Sequence, residues 1–193
     1  MTADGRDTLD AFLGSVSVFS NTLERLLEEQ LVHASGADAL TLGQLRLLGL
    51  LARGEGMRIG DIARLQCVSD AAASRGVERL VQRGLVTRRE SPEDRRTVDV
   101  QLTAAGRALL ERYRAGVSSK LDASLNGTST GDLDVLTSVL DGLTRRLLDA
   151  MERDDGICFG CNLFFRDECA MRERGSHVCA CAVASGEVTL PAS

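Results

Sequence analysis

Five of the six cysteines in this 193-residue chain fall between Cys158 and Cys181. The run reads Cys158-Phe-Gly-Cys161, then Cys169, then Cys179-Ala-Cys181, with His177 two residues before Cys179. A Cys-x2-Cys pair is a common half-site, because its turn lets two thiolates face one metal. Four thiolates suit either zinc or an iron–sulfur cluster. Cys158, Cys161, Cys169, Cys179 and Cys181 are therefore candidate ligands, with His177 as a further candidate. A single straight helix over 158–174 would hold Cys158 and Cys169 roughly 16 Å apart, at about 1.5 Å per residue, too far for one centre. One site thus requires a bend between Cys161 and Cys169, or ligands from two subunits. A cofactor-free thiol/disulfide switch and an inert tail are the other two readings. Phe159, Phe164 and Phe165 are expected to form a small core around the site.

The second chemically informative set is the arginines. Net charge is −5, yet residues 58–96 hold nine Arg and six acids, a +3 segment in a chain otherwise at −8. A local basic patch is the electrostatic footprint that phosphate binding needs. Lys120 is the only lysine; a G+C-rich coding genome accounts for that bias more simply than chemistry does. The basic segment contains two short helical patterns joined at Gln66-Cys-Val-Ser69 and followed by a hairpin, which is a helix-turn-helix with a wing. In such a unit the second helix enters the major groove and its N-terminal side chains meet base edges. Ser69, Asp70, Ala71, Ser74 and Arg75 occupy that first turn and a half, and Arg79 follows one turn on. Arg75 is the best-placed base reader, because a guanidinium fork can grip guanine O6 and N7 together. Cys67, in the turn, reads either as a thiol sensor or, more simply, as a small buried hydrophobe.

The elements that must position these groups are legible from periodicity. Leu9, Phe12, Leu13, Val16, Phe19, Leu23, Leu26, Leu27 and Leu31 make one apolar stripe on a helix over 8–32. Thr41-Leu-Gly-Gln44 is a capping box, with Leu40 and Leu45 as its hydrophobic staple, so a helix starts near Leu42 and ends before Gly54. A short helix fits Ile59–Gln66. The next follows Ser69 as N-cap and stops at Gly84. Leu85–Arg89 and Thr97–Leu102 read as strands around a charged turn. Thr103 caps a long helix carrying Leu109, Leu110, Tyr113, Val117 and Leu121. After a turn at Asn126–Gly131, a last amphipathic helix carries Leu133, Leu136, Val139, Leu140, Leu143, Leu147 and Met151. From Asp154 on the leucine periodicity fades, which places a boundary there.

Taken in order, Leu42-Gly-Gln-Leu-Arg-Leu-Leu48, Ile59-Gly-Asp-Ile-Ala63, Val68-Ser69, Arg83-Gly-Leu-Val86, Pro92-Glu-Asp-Arg-Arg96 and Leu102-Thr-Ala-Ala-Gly106 resemble the multiple-antibiotic-resistance regulator (MarR) family of winged-helix repressors. The resemblance covers about residues 8–152 and does not reach the cysteine tail. It implies a mainly α fold, a winged helix-turn-helix with long N- and C-terminal dimerisation helices and a small β-hairpin wing. Together with the boundary at Asp154, it divides the chain into an N-terminal dimerisation helix (1–40), a DNA-binding domain (41–103) and C-terminal dimerisation helices (104–153), and leaves the Cys-rich tail (154–193) outside. It implies a homodimer on inverted-repeat double-stranded DNA, with Arg95 entering the minor groove, Asp94 holding it and Arg96 on phosphate. Three residues depart from the pattern: Asp70, where a neutral residue or Pro is frequent; Gly76, where a larger apolar residue is usual; and Cys67, where Gly is common.

The expected function is a DNA-binding transcriptional regulator, a repressor, whose DNA affinity is controlled by metal or redox state through the tail cysteines. The alternative keeps the DNA binding but makes the signal a small organic ligand and the tail structural. No apolar run approaches the roughly 18–20 residues of a bilayer span, and the N-terminus lacks a basic-then-apolar leader, so a cytoplasmic protein with no membrane partner is expected. An enzyme is not expected: there is no phosphate-cradling Gly loop, and the chain has only two His.

Overall fold

The computed structural model describes residues 3–36, 40–90, 98–150, 157–158, 161, 163–166, 169 and 178–187. A long helix α1 (Ala3–Ser35) is followed by α2 (Leu42–Leu51), a two-residue strand β1 (Met57–Arg58), α3 (Ile59–Leu65), α4 (Asp70–Gln82) and a hairpin of β2 (Val86–Glu90) and β3 (Val98–Leu102). Two 21-residue helices, α5 (Ala104–Ser124) and α6 (Thr130–Ala150), come next. The tail then adds β4 (Ile157–Cys158), β5 (Val178–Cys179) and α7 (Ala180–Ala184). The mainly helical winged-helix architecture expected from the sequence is the one observed.

Local chemistry sets the helix ends. The Thr41 hydroxyl accepts from the Gln44 N–H at 3.2 Å, and the Gln44 carboxamide accepts from the Thr41 N–H at 3.0 Å, completing the capping box. Leu40 and Leu45 are both buried, as a staple requires. Helix α4 stops in a Schellman arrangement: Leu85 N–H reaches Leu80 O, Gly84 N–H reaches Val81 O, and Gly84 takes φ +67. Thr103 caps α5 by accepting from Gly106 N–H, and its own hydroxyl donates to Gly84 O at 2.7 Å, so one side chain joins two helix ends.

Strand β3 is central in a three-stranded antiparallel sheet of order β1-β3-β2, pairing Met57 with Val100 on one side and Val86 with Leu102 on the other. Leu45, Leu48, Leu50, Ile62, Leu65, Val77, Leu80, Val100 and Tyr113 are fully buried between α2–α5 and the sheet. Burial of each such aliphatic side chain contributes about 1.5–3 kcal/mol, so the winged unit is the rigid part that holds α4. Strand β1 was not anticipated; two residues are too few to carry an alternating pattern. The first helix also runs past the expected 8–32 at both ends.

Gly106 shows how tightly α5 is seated. A Cβ there would stand 2.2 Å from the Leu85 carbonyl oxygen and 2.7 Å from a Leu102 methyl. The first obstacle is backbone and cannot turn aside. Gly106→Ala is expected to destabilise the fold by about 1–3 kcal/mol. A lowered urea midpoint at unchanged m-value would show it, and an unchanged midpoint would mean α5 can move freely.

Candidate nucleic-acid interface and thiol site

Helices α3 and α4 meet through Gln66–Ser69, and Cys67 takes φ +53. Its N–H bonds to Arg64 O, and Val68 N–H bonds to Ala63 O, so the chain closes α3 with a left-handed residue. That conformation explains why Gly is the natural occupant of this turn. The expectation of a buried hydrophobe is overturned: Cys67 is exposed, because the turn apex points away from the core. An L side chain in this region costs about 1–2 kcal/mol. Cys67→Gly is therefore expected to raise stability by about 1 kcal/mol after the added chain entropy of Gly, visible as a higher thermal midpoint. A lower midpoint would show that the thiol makes a compensating interaction.

Ser69 caps α4 by accepting from Ala72 N–H at 3.3 Å. Asp70 lies exposed in the first turn, where a carboxylate is favoured by the helix dipole; that offsets its poor suitability beside phosphate. Ala73, Val77 and Leu80 bury one face of α4. Ala71, Arg75 and Arg79, spaced four apart, are exposed on another, and Ser74 is half-buried between. A groove of about 450 Å³ runs between α2 and α4, lined by Gln44, Arg46, Gln66, Arg75, Gly76 and Arg79 among others. A Cβ at Gly76 would meet nothing within 4 Å, so its glycine keeps the groove open rather than relieving a clash.

Arg46 and Gln66 escaped the sequence reading. Arg46 could have been found as the exposed position between the buried Leu45 and Leu47. Gln66 is placed by a hydrogen bond from its side-chain amide to Gly43 O at 3.2 Å, which no local pattern announces. Arg88 pairs with Glu78 at 3.3 Å, tying β2 to α4 at the surface. The expected wing-tip residues Asp94, Arg95 and Arg96 lie outside the described residues.

This geometry coincides with a known family. The model for the MarR family matches residues 40–98, from the staple residue Leu40 to the start of β3. Over those residues the chain is similar to the MarR family. The HTH-type transcriptional repressor YetL of Bacillus subtilis is 27% identical to it over 138 residues, 69% of this chain and 83% of that protein. The crystal structure of Bacillus subtilis YusO covers 75% of this chain and 99% of its own, at TM-score 0.63 and 21% identity. A MepR variant from S. aureus, bound to an oligodeoxyribonucleotide, superposes at TM-score 0.55 and 19% identity, over 70% of this chain and 97% of its own.

The described residues of the tail pack onto the winged unit. Residues Ala180, Cys181, Ala182 and Ala184 of α7 are buried in the same core as α2. A Cβ on Gly54, just past α2, would stand 2.0 Å from Ala184 O, so only glycine allows this approach. The Arg53 guanidinium lies 3.4 Å over the Phe165 ring, and Arg114 Nε donates to Leu163 O at 3.1 Å. The expected phenylalanine core is corrected. Phe164 is 44% exposed and only edges toward Tyr113, Phe165 serves Arg53, and Leu163 is the buried residue. Phe159 lies outside the described residues. Gly54, Arg53 and Arg114 were not foreseen as anchors for the tail, because they meet it across more than a hundred residues of intervening chain or across whole elements.

Between Cys161 and Cys169, where a single site would need a bend, Phe164 N–H bonds to Cys161 O at 2.7 Å in a turn, and β4 and β5 pair in parallel with Cys158 opposite Cys179. Burial pushes the Cys181 thiol up to about 12, helped by neighbouring Cys161 and Cys179. Arg166 forms a bidentate pair with Asp141 at 3.0 and 2.6 Å and lies near Cys169 and Cys161. The Asp141 carboxyl is held below its ordinary range by that Arg166 hydrogen bond. None of the six cysteines is in a disulfide. By type the tail thiols suit zinc or an iron–sulfur cluster; by arrangement, no three donors among the described residues converge on one point. His177 lies outside them.

Proposed function

We propose that this protein is a transcriptional repressor that binds inverted-repeat DNA as a homodimer. The observation that carries the reading is the exposed Ala71–Arg75–Arg79 face of α4, seated on a rigid winged unit beside Arg46. The MepR variant bound to an oligodeoxyribonucleotide supports DNA as the partner, and relatives such as YetL are repressors rather than enzymes. Ser69, Asp70, Ala71, Ser74, Arg75 and Arg79 are the groove-facing set, with Asp94, Arg95 and Arg96 following in the sequence between β2 and β3. Dimerisation is supported by unpartnered apolar side chains: Phe12, Leu13 and Phe19 on α1, and Leu136, Val139 and Leu147 on α6, are all more than two-fifths exposed. No helix among the described residues is long and apolar enough to cross a membrane.

We infer further that DNA affinity answers to the metal or redox state of the tail cysteines. What supports this is the seating of α7 on α2 and of Leu163 on α5, which puts the tail in contact with the unit that holds α4. The β4–β5 register sets Cys158 opposite Cys179, so at least two of the tail thiols are brought together. The test is selection of duplexes from a random library, followed by operator titration with the wild type and a variant with all five tail cysteines changed to Ser. An inverted repeat should emerge, and the variant should bind it without responding to metal or oxidant. If the variant keeps the full response, the tail is structural and the signal is a small organic ligand.

A further inference from the structure

Resting on the reading that the protein binds inverted repeats as a homodimer, we propose that residues 163–166 are a clip between α6 and the winged unit, with Arg166 and Asp141 as the positioning pair that fixes which half-site spacing the dimer accepts. This short segment reaches three different elements. Leu163 O accepts from Arg114 Nε on α5 at 3.1 Å. The Phe165 ring centroid lies 3.4 Å from the guanidinium of Arg53, just past the end of α2. Arg166 donates two hydrogen bonds to the Asp141 carboxylate on α6, at 3.0 and 2.6 Å. A guanidinium fork on a carboxylate fixes direction as well as distance, which a single contact does not. The Phe164 N–H, bonded to Cys161 O at 2.7 Å, closes the turn at the base of the clip.

Helix α6 is the element that needs such a tie. It is 21 residues long, yet none of its residues is fully buried. It follows α5 through a turn closed by Thr128 N–H on Leu125 O at 2.8 Å. Asp141 is midway along it, roughly 16 Å from its first residue at about 1.5 Å per residue. A swing of about 10° at the turn would carry Asp141 roughly 3 Å, enough to break both hydrogen bonds. The clip therefore resists that swing. In the proposed dimer, α6 contributes Leu136, Val139 and Leu147 to the apolar faces that pair the chains, whereas α4 belongs to the winged unit. The clip thus joins the part that holds the partner to the part that reads DNA. Two recognition helices fit an inverted repeat only when their separation matches whole turns of the duplex, about 34–36 Å each. With the clip closed, that separation is fixed. Duplexes of the wrong spacing are bound through the open state, so their apparent affinity follows the open fraction. The pair is at the surface, with side-chain exposures of 43% and 21%. Its loss raises the open fraction about two- to fivefold, the range of an exposed ion pair.

The experiment uses the full chain, the duplex selected from the random library, and two derivatives with one base pair more or fewer between the half-sites. Asp141→Asn and Arg166→Gln should each bind the altered duplexes about two- to fivefold more tightly than the wild type does, and the selected duplex with unchanged affinity. The double variant should match the single ones, because the second change removes nothing further. Amide hydrogen exchange reads the clip without DNA: Phe164 should exchange faster by the same factor in all three variants. Unchanged discrimination between spacings, equal losses on every duplex, or additive effects in the double variant would each overturn the assignment. So would Phe164 exchange at the wild-type rate. If no inverted repeat is selected, the dimeric-repressor reading fails, and Phe164 exchange alone decides whether the clip exists.

Discussion

Arg75→Ala is expected to weaken operator binding by about 1–3 kcal/mol, roughly 5- to 150-fold, and to relax the base preference at one position of each half-site. Arg75 is on the exposed face of α4, six residues beyond the Ser69 cap, where a major-groove helix places its base-reading side chains. A guanidinium in that position gives two hydrogen bonds to one guanine, and alanine gives none. Arg79 lies a further turn on, and Arg79→Ala is the internal contrast. Removing a phosphate-binding charge there lowers affinity about equally on all sequences and reduces the salt slope by about one. Fluorescence anisotropy on the selected operator and on a scrambled duplex, at two salt concentrations, separates the two behaviours. Equal losses on both duplexes for Arg75→Ala would remove it as the base reader, and no loss would remove α4 from the interface.

Gly54→Ala is expected to detach the tail from the winged unit. The new Cβ would meet the Ala184 carbonyl oxygen at 2.0 Å, a backbone atom that no rotamer change can move. Overpacking of this kind costs about 1–3 kcal/mol. Here it falls on a five-residue helix held mostly by its own burial, so α7 yields before α2 does. The opening equilibrium of the tail then rises by roughly 5- to 150-fold, since opening free energy sets exposure. The readout is the alkylation rate of Cys181, 1% exposed when docked, with global unfolding followed alongside. Faster alkylation at a nearly unchanged urea midpoint is the expected pair of results. An unchanged alkylation rate would mean that α7 does not rest on Gly54. Operator titration of the same variant then shows how far tail docking and DNA affinity are coupled.

These two sites differ in how much of them the sequence displayed. The Arg75 face was legible because its determinants are local: a Ser cap, a 3.6-residue apolar period through Ala73, Val77 and Leu80, and a basic excess over neighbouring segments. The capping box at Thr41 and the Gly84 stop were equally local, and the structure has both. The groove residues Arg46 and Gln66 were less accessible, because α2 and α3 meet α4 only after folding. Cys67 was misjudged because residue type argued for burial, while its left-handed backbone, needed to turn the chain between two helices, forced it outward.

The tail marks the clearest division. Its sequence determined the donor chemistry: five soft thiols in one short stretch, in a chain whose remaining pattern belongs to a winged helix. It also required a bend after Cys161 if those thiols were to meet. Only the tertiary structure decided which thiols do meet, because a two-residue parallel ladder and a glycine-sized gap leave no periodic trace in sequence. The same folding turned an apparent appendage beyond Asp154 into part of the core, since buried Cys181 and its alanine neighbours lose water only when α7 reaches α2.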